Sequence, residues 1–246
     1  MESTTPYKME AGVEVSPESE REHGKQWKGG GREGGREINS NEVGPSETDA
    51  VWIYSLTYGG GVVSGDCISC ELTVGEGCTT VLTTQASTKV YKSIGSKCSE
   101  QVLEARIGSD ALLAVIPDPV TCFSTARYSQ KQVFKVVSDS SLVIVDWITS
   151  GRHERGEKWD FELYESTNHI FLEDDEPLFL DKVLLERGSV GSVTERMQDY
   201  QVIAMVVLLG PKIKHVQNQV QEDVKRIMSE QLHVIHLQLS PSVPDW

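Results

Sequence analysis

The chain has 246 residues, 38% of them hydrophobic and 24% charged, with 23 Lys and Arg against 37 Asp and Glu and a formal net charge of −14. That balance argues against a nucleic-acid binder, which needs a basic footprint, and against attachment to anionic lipid through a basic patch. The sequence has no apolar run of 18 residues to cross a membrane as a helix, and no apolar core of a secretory signal at its start. With five cysteines, an odd number, the expected setting is the reducing cytoplasm and the expected state is free thiols.

In chain order, residues 1–49 come first, with 6 Lys and Arg against 11 Asp and Glu. Their aliphatic anchors are only Val13, Val15, Ile38 and Val43, and they include the run GGGREGG. So little apolar surface does not offset the entropy of ordering a backbone, so this segment is expected to be mostly disordered. From Ala50 onward the pattern changes. AVWIYSLT is a buried-strand pattern that ends at Gly59-Gly60-Gly61. ISCELTV, TTVLTTQ, SEQVLEAR, ALLAVIP, KQVFKVV, SLVIVDWI, KWDFELYES, HIFLED and LFLDKVLLE follow as short alternating or continuous apolar runs. In KWDFELYES the period of two puts Trp159, Phe161 and Leu163 on one face. About ten strands at this spacing predict a mostly β, multi-stranded architecture without βαβ crossovers. VIAMVVLL at 202–209 fits either a strand or a buried helix. Ile213, Val216, Val220, Val224, Ile227 and Met228 recur at three and four, which predicts a helix over 212–231 that opens at Pro211. The expected domains are a disordered segment 1–49, a β-rich domain 50–231 and a tail 232–246.

The chemical motifs are mostly negative. GGGVVSGD lacks the third glycine of a dinucleotide fingerprint and runs into a strand, not a helix. Cys67 and Cys70 lie three apart on a predicted strand, so they face opposite ways and do not chelate one ion. His233 and His236 would share a helix face and form a weak metal pair, but HVIHLQLS also alternates like a strand. No G-x-S-x-G elbow occurs. Asp146 follows the buried run LVIV, and Arg152 comes six residues later. A carboxylate at the end of a core strand must be paired or hydrated. Asp146 is therefore expected either to form a structural ion pair with Arg152 or to line an internal polar passage.

Five spaced segments, YGGGVVSGD at 58–66, LTTQASTKVYKS at 82–93, PDPVTCF at 117–123, ARYSQKQVF at 126–134 and VDWITSGRHERGEKW at 145–159, together resemble the urease accessory protein D family, called H in some systems. The resemblance covers about residues 50–230 and implies an elongated, mostly β, multi-stranded fold with one or two C-terminal α-helices. It implies a protein without enzymatic activity, a scaffold or chaperone for nickel insertion into apo-urease. It implies as partners accessory protein F, the GTPase accessory protein G through F, and the urease apoprotein. It implies no stably bound cofactor, only transient nickel(II) in an internal passage. The carried-over residues are Gly59, Gly60, Gly61, Gly65 and Asp66 in the first motif, and Thr84, Gln85, Thr88, Lys89 and Tyr91 in the second. Pro117, Asp118 and Pro119 follow, then Asp146, Trp147, Ser150, Gly151 and Arg152, with Glu165 just beyond. Asp66, Asp146, Glu165 and Thr88 are the candidate passage residues. Family chains carry further strands before the glycine turn and a second helix with closing strands after 231. The departures at both ends imply lowered stability or aggregation of the isolated chain. The alternative is a β-rich interaction scaffold that keeps partner binding without nickel delivery.

Overall fold

Apolar residues at every second position form strands, and here the strands alternate between two facing sheets. The computed structural model describes residues 8–15, 50–56, 60–188 and 191–239, with backbone only at 8–11, 153 and 231–239. One sheet takes β1 (Lys8–Val15), β3 (Cys67–Val74), β6 (Ser99–Ile107), β9 (Arg127–Val136), β11 (Leu163–Leu172) and β12 (Pro177–Glu186), in that order. The other takes β2 (Ala50–Ser55), β4 (Thr79–Thr84), β7 (Leu112–Val115), β10 (Ser141–Thr149), β8 (Val120–Cys122) and β5 (Thr88–Val90), with β13 (Val202–Leu209) antiparallel on β10. Neighbours from β1 through β11 in the first sheet pair in parallel. A parallel pair needs a long crossover, and here strands of the facing sheet provide it in place of helices. The chain therefore winds as a flattened β coil. The expected mostly β class holds.

Inward-facing side chains fill two apolar cores. The first contains Leu72, Val74, Ala105, Ile107, Leu113, Phe134, Leu142 and Ile144. The second contains Val90, Val120, Tyr128, Ile148, Trp159, Phe161 and Tyr164. β10 runs through both, with Leu142 and Ile144 in one and Ile148 in the other.

Several expectations change in detail. Part of the acidic leading segment is ordered: β1 lies parallel to β3 over eight residue pairs, with Val15 buried. The sparse aliphatic count hid this because Val13 and Val15 alternate onto a core that other strands have already built. KWDFELYES is a strand only from Leu163, because Trp159 has φ 55°, outside the strand region. Trp159 and Phe161 are nonetheless buried. A short helix α1 (Val193–Met197), without a sequence-level expectation, is set by Ser192, whose hydroxyl accepts from the Glu195 N–H while the Glu195 carboxylate accepts from the Ser192 N–H. VIAMVVLL is a strand. The late helix opens with a 3-10 turn at Pro211–Ile213 and continues as α2 (Lys214–Leu239), eight residues past the expected end. It is a helix, not a strand, that carries positions 233 and 236.

The turn from β13 into α2 depends on Gly210. Its φ is 99°, and a Cβ there would sit 2.2 Å from the Ser140 carbonyl oxygen and 2.6 Å from Ser141 Cα. Gly210→Ala is expected to lower the unfolding free energy by about 3 kcal/mol, read as a shift of the urea midpoint.

Candidate functional site

The second sheet is interrupted. β4 ends at Thr84 and β5 begins at Thr88, while β7 ends at Val115 and β8 begins at Val120. β10 continues through that level, pairing with β7 at Ser141–Ile144 and with β8 at Ile148–Thr149, and β13 runs along its other edge from Leu142 to Thr149. The TQ-x-x-T, P-D-P and D-W motifs meet at this break. The Asp118 N–H donates to Thr84 Oγ1 at 2.7 Å, and Thr84 Oγ1 donates to Asp118 Oδ2 at 3.1 Å. The Thr88 N–H donates to the Pro119 carbonyl at 3.0 Å. Trp147 Nε1 donates to the Pro117 carbonyl at 2.8 Å. Gln85 lies exposed between the two strand segments. Thr88 pairs with Val120, which pairs with Ile148, so Thr88 belongs to the inward-facing row next to Asp146.

Asp146 lies in the gap between the β7 and β8 pairings of β10, with Met205 of β13 as its partner on the other side, and points between the two cores with 8% exposure. It receives three hydrogen bonds from the facing sheet. Gln130 Nε2 donates to Oδ1 at 3.0 Å, Ser166 Oγ to Oδ2 at 2.5 Å, and Asn168 Nδ2 to Oδ2 at 2.8 Å. The network extends through Tyr128, whose hydroxyl lies 2.8 Å from Gln101 Oε1 and 3.2 Å from Gln130 Oε1. Strand register aligns these groups: Gln101 pairs with Gln130, and Gln130 with Ser166. A polar seam therefore crosses the molecule between the two apolar cores. Burial pushes the hydroxyl pKa of Tyr128 and of Tyr164 well above the usual tyrosine value, and the Asp146 carboxylate adds to both shifts.

The expected ion pair of Asp146 with Arg152 does not form. Arg152 makes a bidentate pair with Glu157 and lies 3.8 Å over the Phe123 ring. Among the described residues, no Lys, Arg or His side chain forms an ion pair with Asp146, which leaves the polar-lining reading.

The other predicted residues separate from this seam. Asp66 is buried, but its Oδ2 accepts from the Val63 N–H at 3.0 Å and closes its own turn. Gly65 and Ser99 complete that turn, the Gly65 N–H donating to Ser99 Oγ. Gly60 has φ 81° and Gly65 φ 85°, which suit glycine. Gly61 packs so closely that a Cβ would lie 2.4 Å from the Lys89 carbonyl oxygen and 2.5 Å from the Tyr91 ring. Tyr91 meets Phe123 edge to face at 5.0 Å. Ser150 donates to Gln201 Oε1, and Gly151 has φ 130° against the Glu157 backbone. These residues shape the fold beside the second core. Glu165 is a correction: its neighbours Tyr164 and Ser166 are inward and buried, so strand alternation puts it on the outer face, paired with Lys182 at 3.1 Å. Gly59 lies outside the described residues, as do the side chains of His233 and His236.

Sequence reasoning missed Asp181. It is the Cα partner of Asn168 across β11 and β12. Asp181 Oδ2 and Asn168 Oδ1 are both buried without a hydrogen-bond partner. A signal was available, because Asp181 is the one charged residue among the inward positions Phe179, Val183 and Leu185 of LFLDKVLLE.

Fold and site together define a two-sheet β scaffold with a carboxylate-centred polar seam through its middle. The family model of the UreD urease accessory protein matches residues 41–240, and the chain belongs to that family. The match takes in residues 41–49 and 232–240, which the motifs alone leave outside the domain. The chain is 71% identical over 194 residues to the urease accessory protein D of Arabidopsis thaliana, covering 79% of this chain and 66% of that one. It is 63% identical over 195 residues to the accessory protein D of Oryza sativa subsp. japonica, covering 79% and 63%. It is 39% identical over 173 residues to the accessory protein UreD of Anaeromyxobacter sp. (strain Fw109-5), covering 70% and 58%. The chain spans about two thirds of the length of these relatives, or less.

Two outcomes are expected. Asp146→Ala strips an acceptor from three buried donors and should lower the unfolding free energy by about 3 kcal/mol in urea. The second concerns the two buried tyrosines. Folding keeps both protons on beyond the pH at which the unfolded chain releases them. Their contribution to stability is therefore complete below about pH 10 and falls as pH rises above it, by up to about 2.7 kcal/mol per unit for the pair. Ultraviolet titration should show Tyr128 and Tyr164 ionising only with alkaline unfolding.

Proposed function

We propose that this chain is a non-catalytic urease maturation factor whose polar seam passes nickel(II) toward apo-urease. The observation that carries the reading is Asp146, a carboxylate enclosed between two apolar cores and held by three neutral donors with no cationic partner among the described residues. Burying an uncompensated charge costs stability, and such a group creates a negative potential that favours a cation. Asp181 and Asn168 add two unpartnered oxygens beside it. Oxygen ligands hold nickel(II) less tightly than imidazole or thiolate, so an oxygen-lined route lets the ion move on. Thr88, at the break in the second sheet, lies two strands from β10, level with Ile148 and on the same face as Asp146. Family membership supports the partners: accessory protein F, the GTPase G through F, and the urease apoprotein, met in the cytoplasm. No helix among the described residues is long and apolar enough to cross a membrane.

The test is urease activation in cells that lack their own accessory protein D and are supplied with nickel. The wild-type chain should restore activity. Asp146→Asn with Asp181→Asn, which keeps shape and removes both charges, should reduce activation about tenfold or more while partner capture persists. Activation unchanged by the double variant would leave the chain as a partner-binding scaffold without a nickel route. Asp66→Ala is expected to lose activity together with thermal stability, because that carboxylate closes a turn.

A further inference from the structure

The two oxygens of Asp146 are served unequally. Oδ2 accepts from Ser166 Oγ and Asn168 Nδ2, whereas Oδ1 accepts, among the described residues, from Gln130 Nε2 alone at 3.0 Å. Each carboxylate oxygen has two lone pairs, so Oδ1 is the one with capacity left for an ion. Gln130 also differs from the amide donor beside it. Asn168 Oδ1 has no hydrogen-bond partner, but Gln130 Oε1 lies 3.2 Å from the Tyr128 hydroxyl. That hydroxyl lies 2.8 Å from Gln101 Oε1 as well.

Tyr128 therefore faces two carbonyl oxygens with one proton. Burial keeps that proton on, well beyond the usual tyrosine range. The shorter contact, to Gln101, takes it, and Gln130 Oε1 is left against the Tyr128 oxygen as a second acceptor. The orientation of the Gln130 amide is thus a compromise. Asp146 only accepts, so it draws the Nε2 end toward itself at the expense of the Tyr128 end. A half-turn about the last side-chain bond keeps the shape of the amide and exchanges its two ends. Nε2 then donates to Tyr128 Oη, whose proton stays on Gln101, and that end is fully satisfied. At the other end Oε1 comes to face Asp146 Oδ1. Two such oxygens repel unless a cation stands between them.

We propose that Gln130 is a turning ligand for a divalent cation in the seam. Without a cation its amide donates to Asp146. With one it turns, sets Oε1 beside Asp146 Oδ1 on the ion, and gives its N–H to Tyr128. The role rests on the reading that the seam passes nickel(II), and it adds the means of release. A neutral carbonyl oxygen ligates without adding charge, so the ion gains a second ligand and is not trapped. When the ion leaves, the amide turns back and the buried carboxylate regains its donor. Tyr128 and Gln101 are positioning residues, which act on the ion only through Gln130.

The test is equilibrium dialysis of the full chain against nickel(II) chloride, with the binding that Asp146→Asn abolishes taken as the seam site. Gln130→Glu fixes an acceptor at the turning position and should tighten that site about tenfold or more while slowing urease activation. Tyr128→Phe removes the acceptor for the turned amide and should weaken the site about fivefold. In the Gln130→Glu background, where nothing has to turn, Tyr128→Phe should no longer weaken it. Gln101→Leu leaves the tyrosine proton to Gln130 Oε1 alone, so it should act in the same direction with the same dependence on background. It reads the turn even where the tyrosine variant does not fold. Equal weakening in both backgrounds, or none in either, overturns the turning ligand and leaves the passage standing. So does the lack of any Asp146-dependent binding up to millimolar nickel(II) in both the wild type and Gln130→Glu while activation still needs Asp146. Binding and activation both unchanged by Asp146→Asn overturn the passage itself, and the ligand with it.

Discussion

The three hydrogen bonds that reach Asp146 from Gln130, Ser166 and Asn168 tie the two sheets together at the level where the second sheet is broken. On either side of this level the two cores join the sheets by apolar packing, which is non-directional and tolerates sliding. Here the join is directional. It fixes β9 and β11 against β10 and sets the register at which the motif loops close around the break. Thr84 and Asp118 then lock one loop to the other, and Trp147 holds the Pro117 carbonyl. A single carboxylate thus orders the segments that give the chain its family signature.

Much of this could be read from residue patterns. Alternation located most strands because the inward face of a sandwich is apolar at every second position, as in β6 with Leu103, Ala105 and Ile107. The three-and-four spacing after Pro211 located α2. What stayed hidden had physical reasons. Parallel or antiparallel pairing is a matter of path, and no local pattern encodes that the crossover from β3 to β6 runs through the other sheet. β1 stayed hidden because an edge strand needs few apolar residues when its neighbours supply the core. Sequence left Asp146 between an ion pair with Arg152 and a polar lining, because Arg152 is near in sequence; Arg152 lies in the loop after β10, over Phe123 and paired with Glu157. Alternation along β11 turns Glu165 outward, between the buried Tyr164 and Ser166. Asp181 was legible as a charge at an inward step, yet its meaning required knowing that Asn168 lies beside it.

The motif residues divide into two kinds of work. Glycines 60, 61 and 65 with Asp66, Tyr91, Gly151 and Arg152 shape turns and pack beside the second core. Thr84, Thr88, Asp118, Asp146 and Trp147 gather at the interruption of the second sheet. A family signature therefore mixes residues that hold a backbone in place with residues that present oxygen atoms to the interior. Only coordinates separate the two sets.

The winding of the chain between sheets also sets how the protein must be built. In a hairpin protein each strand finds its neighbour as soon as it is made. Here β3 waits for β6, and β6 for β9, while the intervening strands are laid into the opposite sheet. Closing such loops comes before any reward from the pairing, so assembly is slow compared with helical or hairpin-rich domains of the same size. During that interval half-made sheets present open edges. The fold is thus, by its own topology, slow to form.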